Sequence, residues 1–286
     1  MIGKCALYDI ETELMQSHII PKFAFDFLKK TGGKYLRAYE KPNQRIQDGP
    51  KKYLLSTKAE LEFSKRERWF ANNIFIPYMK LGVTKFEYKE DFAYFIISLL
   101  WRVLLVQLKH PNVIPDKRLD FLTDVESEWK NFLSKGVYPW LHNDLNVFLT
   151  DRISSHNTNG INNDLYFSRM IDATIITNEK GTKVAVYAKF LRFIFWSVVK
   201  GDPNDCKDTK INFIKGTLTT PQLVRDDFFG GFLRNRVEEI DNMPEPSEIQ
   251  KIKIQEETFK KENDFWNTDA GKAMINDYEL RSKASS

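Results

Sequence analysis

Between Phe92 and Leu108 the chain runs for seventeen residues with only Arg102 and Gln107 as strongly polar interruptions. A helix that is apolar almost all round has no face to offer to water, so other elements have to wrap it on every side. A membrane-spanning helix needs about 20 apolar residues and tolerates a central Arg poorly. Here Arg102 lies inside the run and Glu90-Asp91 lead into it. Glu90–His110 is therefore expected to be the central helix of a globular core, and no membrane association is expected. A chain of 286 residues is long enough to build that surround, and 22 Phe and six Trp supply material to fill it.

The surround reads as α+β. Residues 4–8 and 11–15 are expected as a short hairpin, Ile19–Lys30 as a helix with Pro21 in its first turn, and Tyr35–Tyr39 as a strand. Pro42–Pro50 has the composition of a polar loop. Leu61, Phe63, Trp69, Phe70 and Ile74 recur at helical spacing and predict one long helix over Thr57–Phe75. Asp116–Ser134 is an amphipathic helix on the same grounds. The texture then turns to strands at Asp144–Ile153, Met170–Asn178, Thr182–Ala188 and Ile211–Ile214, with Phe190–Val199 open between strand and helix. Ser154–Asp164 and Gly201–Thr209 read as polar loops. Thr220-Pro221 has the form of a helix start, and Ser247–Asn263 is a charged helix. The expected architecture is a small N-terminal ββα finger-like module on a helical core, then an antiparallel β section and C-terminal helices. In domain terms this divides the chain into residues 1–80 and 81–286.

Two cysteines, Cys5 and Cys206, can form neither a disulfide framework nor a four-thiolate metal site. The stretch Met1–Glu13 lacks the apolar core of a secretion signal. Both features point to a cytoplasmic protein. The net charge of +4 is uneven: residues 1–80 hold 15 Lys+Arg against 9 Asp+Glu, and the remainder holds 28 against 30. A basic module on a near-neutral body suits contact with phosphate backbones. Between residues 29 and 58 the basic side chains include Lys34, Arg37, Arg45, Lys51 and Lys52, with Tyr35, Tyr39 and Tyr53 interleaved. That mixture is suited to phosphate contact and base stacking, as Lys22 is to phosphate contact. An ordinary solvated loop has the same composition. The P-loop, GxGxxG, GxSxG and HExxH motifs are all missing from the sequence.

Three segments carry a resemblance. Cys5-Ala6-Leu7-Tyr8 is followed by Ser17-His18-Ile19-Ile20-Pro21-Lys22, and later by Leu54-Leu55-Ser56-Thr57-Lys58-Ala59-Glu60. Together they resemble the HNH-type (ββα-metal) endonuclease family: a CxxC knuckle, an SHIIPK segment and a second LLCxxCE knuckle opening a helix. The four cysteine positions read Cys5, Tyr8, Ser56 and Ala59, so a structural zinc ion is not expected and the finger has to be held by its apolar residues. The resemblance implies His18 as general base, Glu60 and Asn43 as candidate ligands of Mg²⁺ or Mn²⁺, and DNA or RNA as the partner. It also implies a setting in a bacterial mobile-element or phage-defence system. Against this stand plainer roles for the same residues: a hydrogen-bonded structural His18, and Ser17 as a helix cap. Two function classes follow, a divalent-metal-dependent nuclease and a non-catalytic descendant that binds nucleic acid or a protein.

Overall fold

The computed structural model describes residues 1–33, 35–38, 40–111, 113, 116–151, 162–202, 207–259 and 262–284. Lys34, Tyr39, Cys206 and most of the Asn-rich loop, from residue 152 to 161, lie outside the described residues. The architecture is α+β, with an N-terminal strand-rich region followed by helices and antiparallel sheets.

Strands β1 (Ile2–Lys4) and β2 (Glu11–His18) pair antiparallel, and residues 6–8 form a turn where a strand was expected. Helix α1 (Lys22–Lys30) starts after Pro21, which fixes its entry without a side-chain cap. Strands β3 (Leu36–Ala38) and β4 (Lys41–Ile46) form a hairpin of their own, so half of the expected loop 42–50 is a strand. Strand β5 (Lys51–Ser56) then pairs with β2 to complete a three-stranded sheet of order β1-β2-β5.

Helix α2 (Thr57–Phe70) is capped by Ser56, whose Oγ accepts from the Ala59 N–H at 3.3 Å. It does not continue as α-helix to Phe75. Residues 71–75 form a π-turn in which the Ile76 N–H reaches Ala71 O, and α3 (Ile76–Leu81) follows. Pro77, just beyond, has no N–H to give the regular ladder, and the wider turn places Phe70, Ile74 and Phe75 together inside.

After β6 (Lys85–Lys89) comes α4 (Glu90–Gln107), the expected central helix, with Phe92, Ala93 and every residue from Phe95 to Leu104 buried. It contacts α2, α5 (Leu122–Lys135) and a four-stranded antiparallel sheet. The sheet runs β7 (Leu145–Leu149), β10 (Phe193–Lys200), β9 (Val184–Phe190) and β8 (Ile171–Thr177). The Phe190–Val199 segment thus resolves into a strand end, a tight turn and β10. Strand β9 is buried along its whole length, because α4 covers one face of the sheet and a second apolar cluster covers the other. That cluster joins Tyr187, Ile194 and Trp196 to α6 (Asn163–Arg169) and α7 (Asp227–Asp241).

Ile211–Ile214 is not a strand. The pairing falls on β11 (Lys215–Thr219), which lies beside β6. Thr220-Pro221 is a cis peptide rather than a helix start, and the cap of α7 is Asp226, whose Oδ1 accepts from the Phe229 N–H. The chain closes with α8 (Glu248–Phe259), α9 (Glu262–Phe265) and α10 (Asp269–Ala284), the last packed on α6. Among the described residues no helix is long and apolar enough to cross a membrane.

Candidate functional site

The two segments that resemble knuckles meet. Cys5 Sγ lies 3.4 Å from Ser56 Oγ and accepts from the Ser56 N–H at 3.3 Å, while Ala6 N donates to Leu54 O at 3.0 Å. Where thiolates round a metal would tie the two segments, hydrogen bonds and burial tie them instead. Burial alone raises the Cys5 thiol pKa. The hydrogen bonds from the Ser56 hydroxyl and from the backbones of Ser56, Tyr8 and Leu7 outweigh it and leave the thiol below its usual value. The Tyr8 ring faces outward enough to hold Lys58, whose Nζ stands 4.8 Å from its centroid.

His18 ends β2, directly across from Lys51 on β5. Its Nε2 is 2.9 Å from Asp48 Oδ2, and the Lys51 ammonium reaches the same oxygen at 2.8 Å. The other Asp48 oxygen accepts from the Gly49 N–H at 2.9 Å. Burial pushes the Asp48 carboxyl up, but the Lys51, His18 and Gly49 hydrogen bonds prevail and hold it well below the ordinary carboxylate range. Gly49 is required here, since a Cβ would collide with the Phe25 ring over which the chain turns. On its backbone side, His18 O accepts from Arg102 Nη1 at 2.8 Å. Arg102, almost fully buried on α4, also gives Nη2 to Glu67 Oε1 at 2.7 Å and Nε to Ser98 O at 3.1 Å. The base of the site is therefore anchored to the core helix.

Strand alternation turns Ser17 the other way. It is fully buried, and among the described residues its Oγ has no hydrogen-bond partner and it caps no helix. The basic residues divide into two groups. Lys22 bonds Asp26 at 2.6 Å and also feels the Asp48 charge, and Lys29 bonds Asp26 at 3.2 Å and Gln47 O at 3.0 Å. With Lys51 they line the edge around His18 and Asp48, while the exposed Lys52, across from Ser17, lies on the other face of the strand. Arg37 and Arg45 instead lie on the β3–β4 hairpin and are bonded to α8, as is Asn43, whose Oδ1 accepts from the Ser247 N–H at 2.8 Å. Lys34 lies outside the described residues.

The expected metal ligands are not gathered. Among the described residues no hydrogen bond or ion pair joins Glu60 or Asn43 to His18, and no group of three or more His, Cys, Asp or Glu side chains is placed to hold an ion. Among the described residues Glu60 Oε1 is buried without a partner, as is Ser17 Oγ. Mg²⁺ is commonly held by one or two carboxylates with waters completing its shell, and the carboxylate that His18 meets is Asp48 rather than Glu60. Asp48, Glu67 and Arg102 escaped the sequence reading. The Asp48-Gly49 turn signal was visible, but nothing in it said that the carboxylate would reach back thirty residues to His18. No protein-family model matches this chain, and neither a curated protein nor a solved structure matches it.

Proposed function

We propose that the N-terminal region binds nucleic acid through the lysine-lined edge around His18 and Asp48. The observation that carries this reading is the convergence of His18 and Lys51 on the one Asp48 carboxylate, with Lys22, ion-paired to Asp26, near enough to feel its charge and Lys29 bonded to the neighbouring Gln47 carbonyl. Lys22, Lys29 and Lys51 share the two carboxylates of Asp26 and Asp48, and a phosphodiester backbone is a polymer that supplies further anions. Tyr53, next to Lys52 and 47% exposed, offers a ring on which a base can stack. The setting implied by the HNH-type resemblance is a cytoplasmic protein of a bacterial mobile-element or phage-defence system.

The test is fluorescence anisotropy with labelled single- and double-stranded DNA and RNA at two salt concentrations. Lys51→Ala/Lys52→Ala should weaken binding about ten-fold and flatten the salt dependence by a slope of about 2. Affinity and salt slope equal to those of the unaltered protein sink the reading.

The His18–Asp48 bond favours one further step, a nuclease in which His18 is the general base. A carboxylate on one imidazole nitrogen orients the ring and stabilises it once protonated. Cleavage of DNA and RNA in Mg²⁺ or Mn²⁺, present in the unaltered protein and lost in His18→Ala, would establish it. Absence of cleavage in both, with binding retained, leaves a binding module.

A further inference from the structure

Arg37 and Arg45 face each other directly across the β3–β4 ladder. Like charges in that position repel, so the hairpin is stable only with an anion or with wide exposure to water. Arg45 stacks its guanidinium 4.4 Å from the centroid of the Tyr35 ring, and Arg37 donates Nη1 to Pro42 O at 2.7 Å. Both groups are thereby held in place on the hairpin.

The anion comes from the chain itself. Ser247, Gln250, Ile254 and Glu257 are spaced three, four and three residues apart, which sets them on one stripe running the length of α8. Three of them meet the hairpin: the Ser247 N–H on Asn43, Gln250 Oε1 on Arg37 at 3.0 Å, and Glu257 Oε1 on Arg45 at 2.8 Å. The helix contributes little to the core, since Ile249 is 67% and Ile252 53% exposed. The Arg45–Glu257 pair is also open to water, with side chains 32% and 43% exposed, and such pairs are weak. The Arg37–Gln250 bond is part-buried and the Asn43 and Arg45 contacts are exposed, and a helix held to the hairpin by such polar contacts can be exchanged for a better anion.

We propose that the Arg37–Arg45 face of the hairpin is a contact for the phosphate backbone of single-stranded nucleic acid, and that α8 covers it as a displaceable intramolecular competitor. This rests on the nucleic-acid reading above and adds regulation to it, because the lysine edge stays open while the arginine face is closed.

The test compares Gln250→Ala/Glu257→Ala with Glu256→Ala, which removes the same charge from the same helix. The probes are a labelled 20-residue oligothymidylate and the corresponding oligouridylate. If the cover occupies most molecules, freeing the hairpin should tighten binding about five-fold, and the control by less than about two-fold. Adding Arg45→Ala should abolish the gain. Hydrogen exchange of α8 amides in the unaltered protein should speed up on saturation with oligothymidylate. Equal tightening in the control, or unchanged α8 exchange at saturation, overturns the cover. In that case the lysine-edge reading stands if Lys51→Ala/Lys52→Ala still weakens binding. No binding of either probe by any variant overturns both.

Discussion

At the scale of single residues, Asp48 organises the His18 edge, and its chemistry sets a pH dependence. The carboxylate is bonded to His18, Lys51 and the Gly49 N–H, and its pKa in the folded state lies below the usual value. A depressed carboxylate contributes stability above its unfolded pKa of about 4, and that contribution is lost as pH falls toward the folded-state value. Asp48→Asn should therefore lower unfolding stability by about 1–2 kcal/mol at pH 7, with the gap to the unaltered protein closing as pH falls below about 4. Urea unfolding of both proteins between pH 7 and pH 2 measures this. A gap that stays constant over that range would show that the loss comes from altered shape rather than from the charge.

At the scale of elements, the two segments that resemble knuckles are tied together by hydrogen bonds and burial. Cys5 and Ser56 touch, and Ala59 N bonds Ser56 Oγ, so positions 5, 56 and 59 already cluster, with Tyr8 at the end of the turn that Cys5 opens. Tyr8→Cys/Ser56→Cys/Ala59→Cys should bind one equivalent of Co²⁺ with the visible absorption of a tetrahedral thiolate site, and Zn²⁺ should raise its Tm. Failure to bind either metal would show that the two turns are not placed to form a four-thiolate site. The same scale marks what the sequence could convey. The central helix, α5 and strands β8 and β9 were legible, because burial on one or all sides writes a period or an unbroken apolar run into the residues. The π-turn before Pro77, the strand β4 and the β6–β11 pair were not legible. Each has partners distant in sequence: Phe70 and Phe75 on the sheet, Arg45 on Glu257, Leu218 on Phe86. The site divides in the same way. His18 was legible from its local motif, whereas Asp48 and Arg102 join it only through tertiary contacts.

At the scale of the whole molecule, the N-terminal region and the body share one core. A continuous buried cluster runs from Cys5 and Leu7 through Phe70 and α4 to Phe190, Phe195 and Leu218. Phe23 on α1 packs edge-on against Phe190 at 5.7 Å, and Phe70 stacks on Phe95 at 4.2 Å. Arg102 adds a polar link at the same junction, tying α4 to Glu67 and to the His18 carbonyl. Contacts of this kind couple the folding of the two parts, so calorimetry should show one transition with equal calorimetric and van't Hoff enthalpies. Arg102→Met leaves the part-buried Glu67 carboxylate and His18 carbonyl without this partner and should cost about 2–3 kcal/mol. Because the junction is shared, that loss should move the single transition downward without splitting it. A fragment of residues 1–81, stripped of the surface against which Phe23, Phe70 and Phe75 lie, should show no cooperative melt. Two resolved transitions in the full chain, or a folded fragment, would mean that the core clusters stabilise two separate units. The His18 edge would then be rigid without help from α4. One transition ties its geometry to the central helix, and so to the same apolar run that dictates the fold.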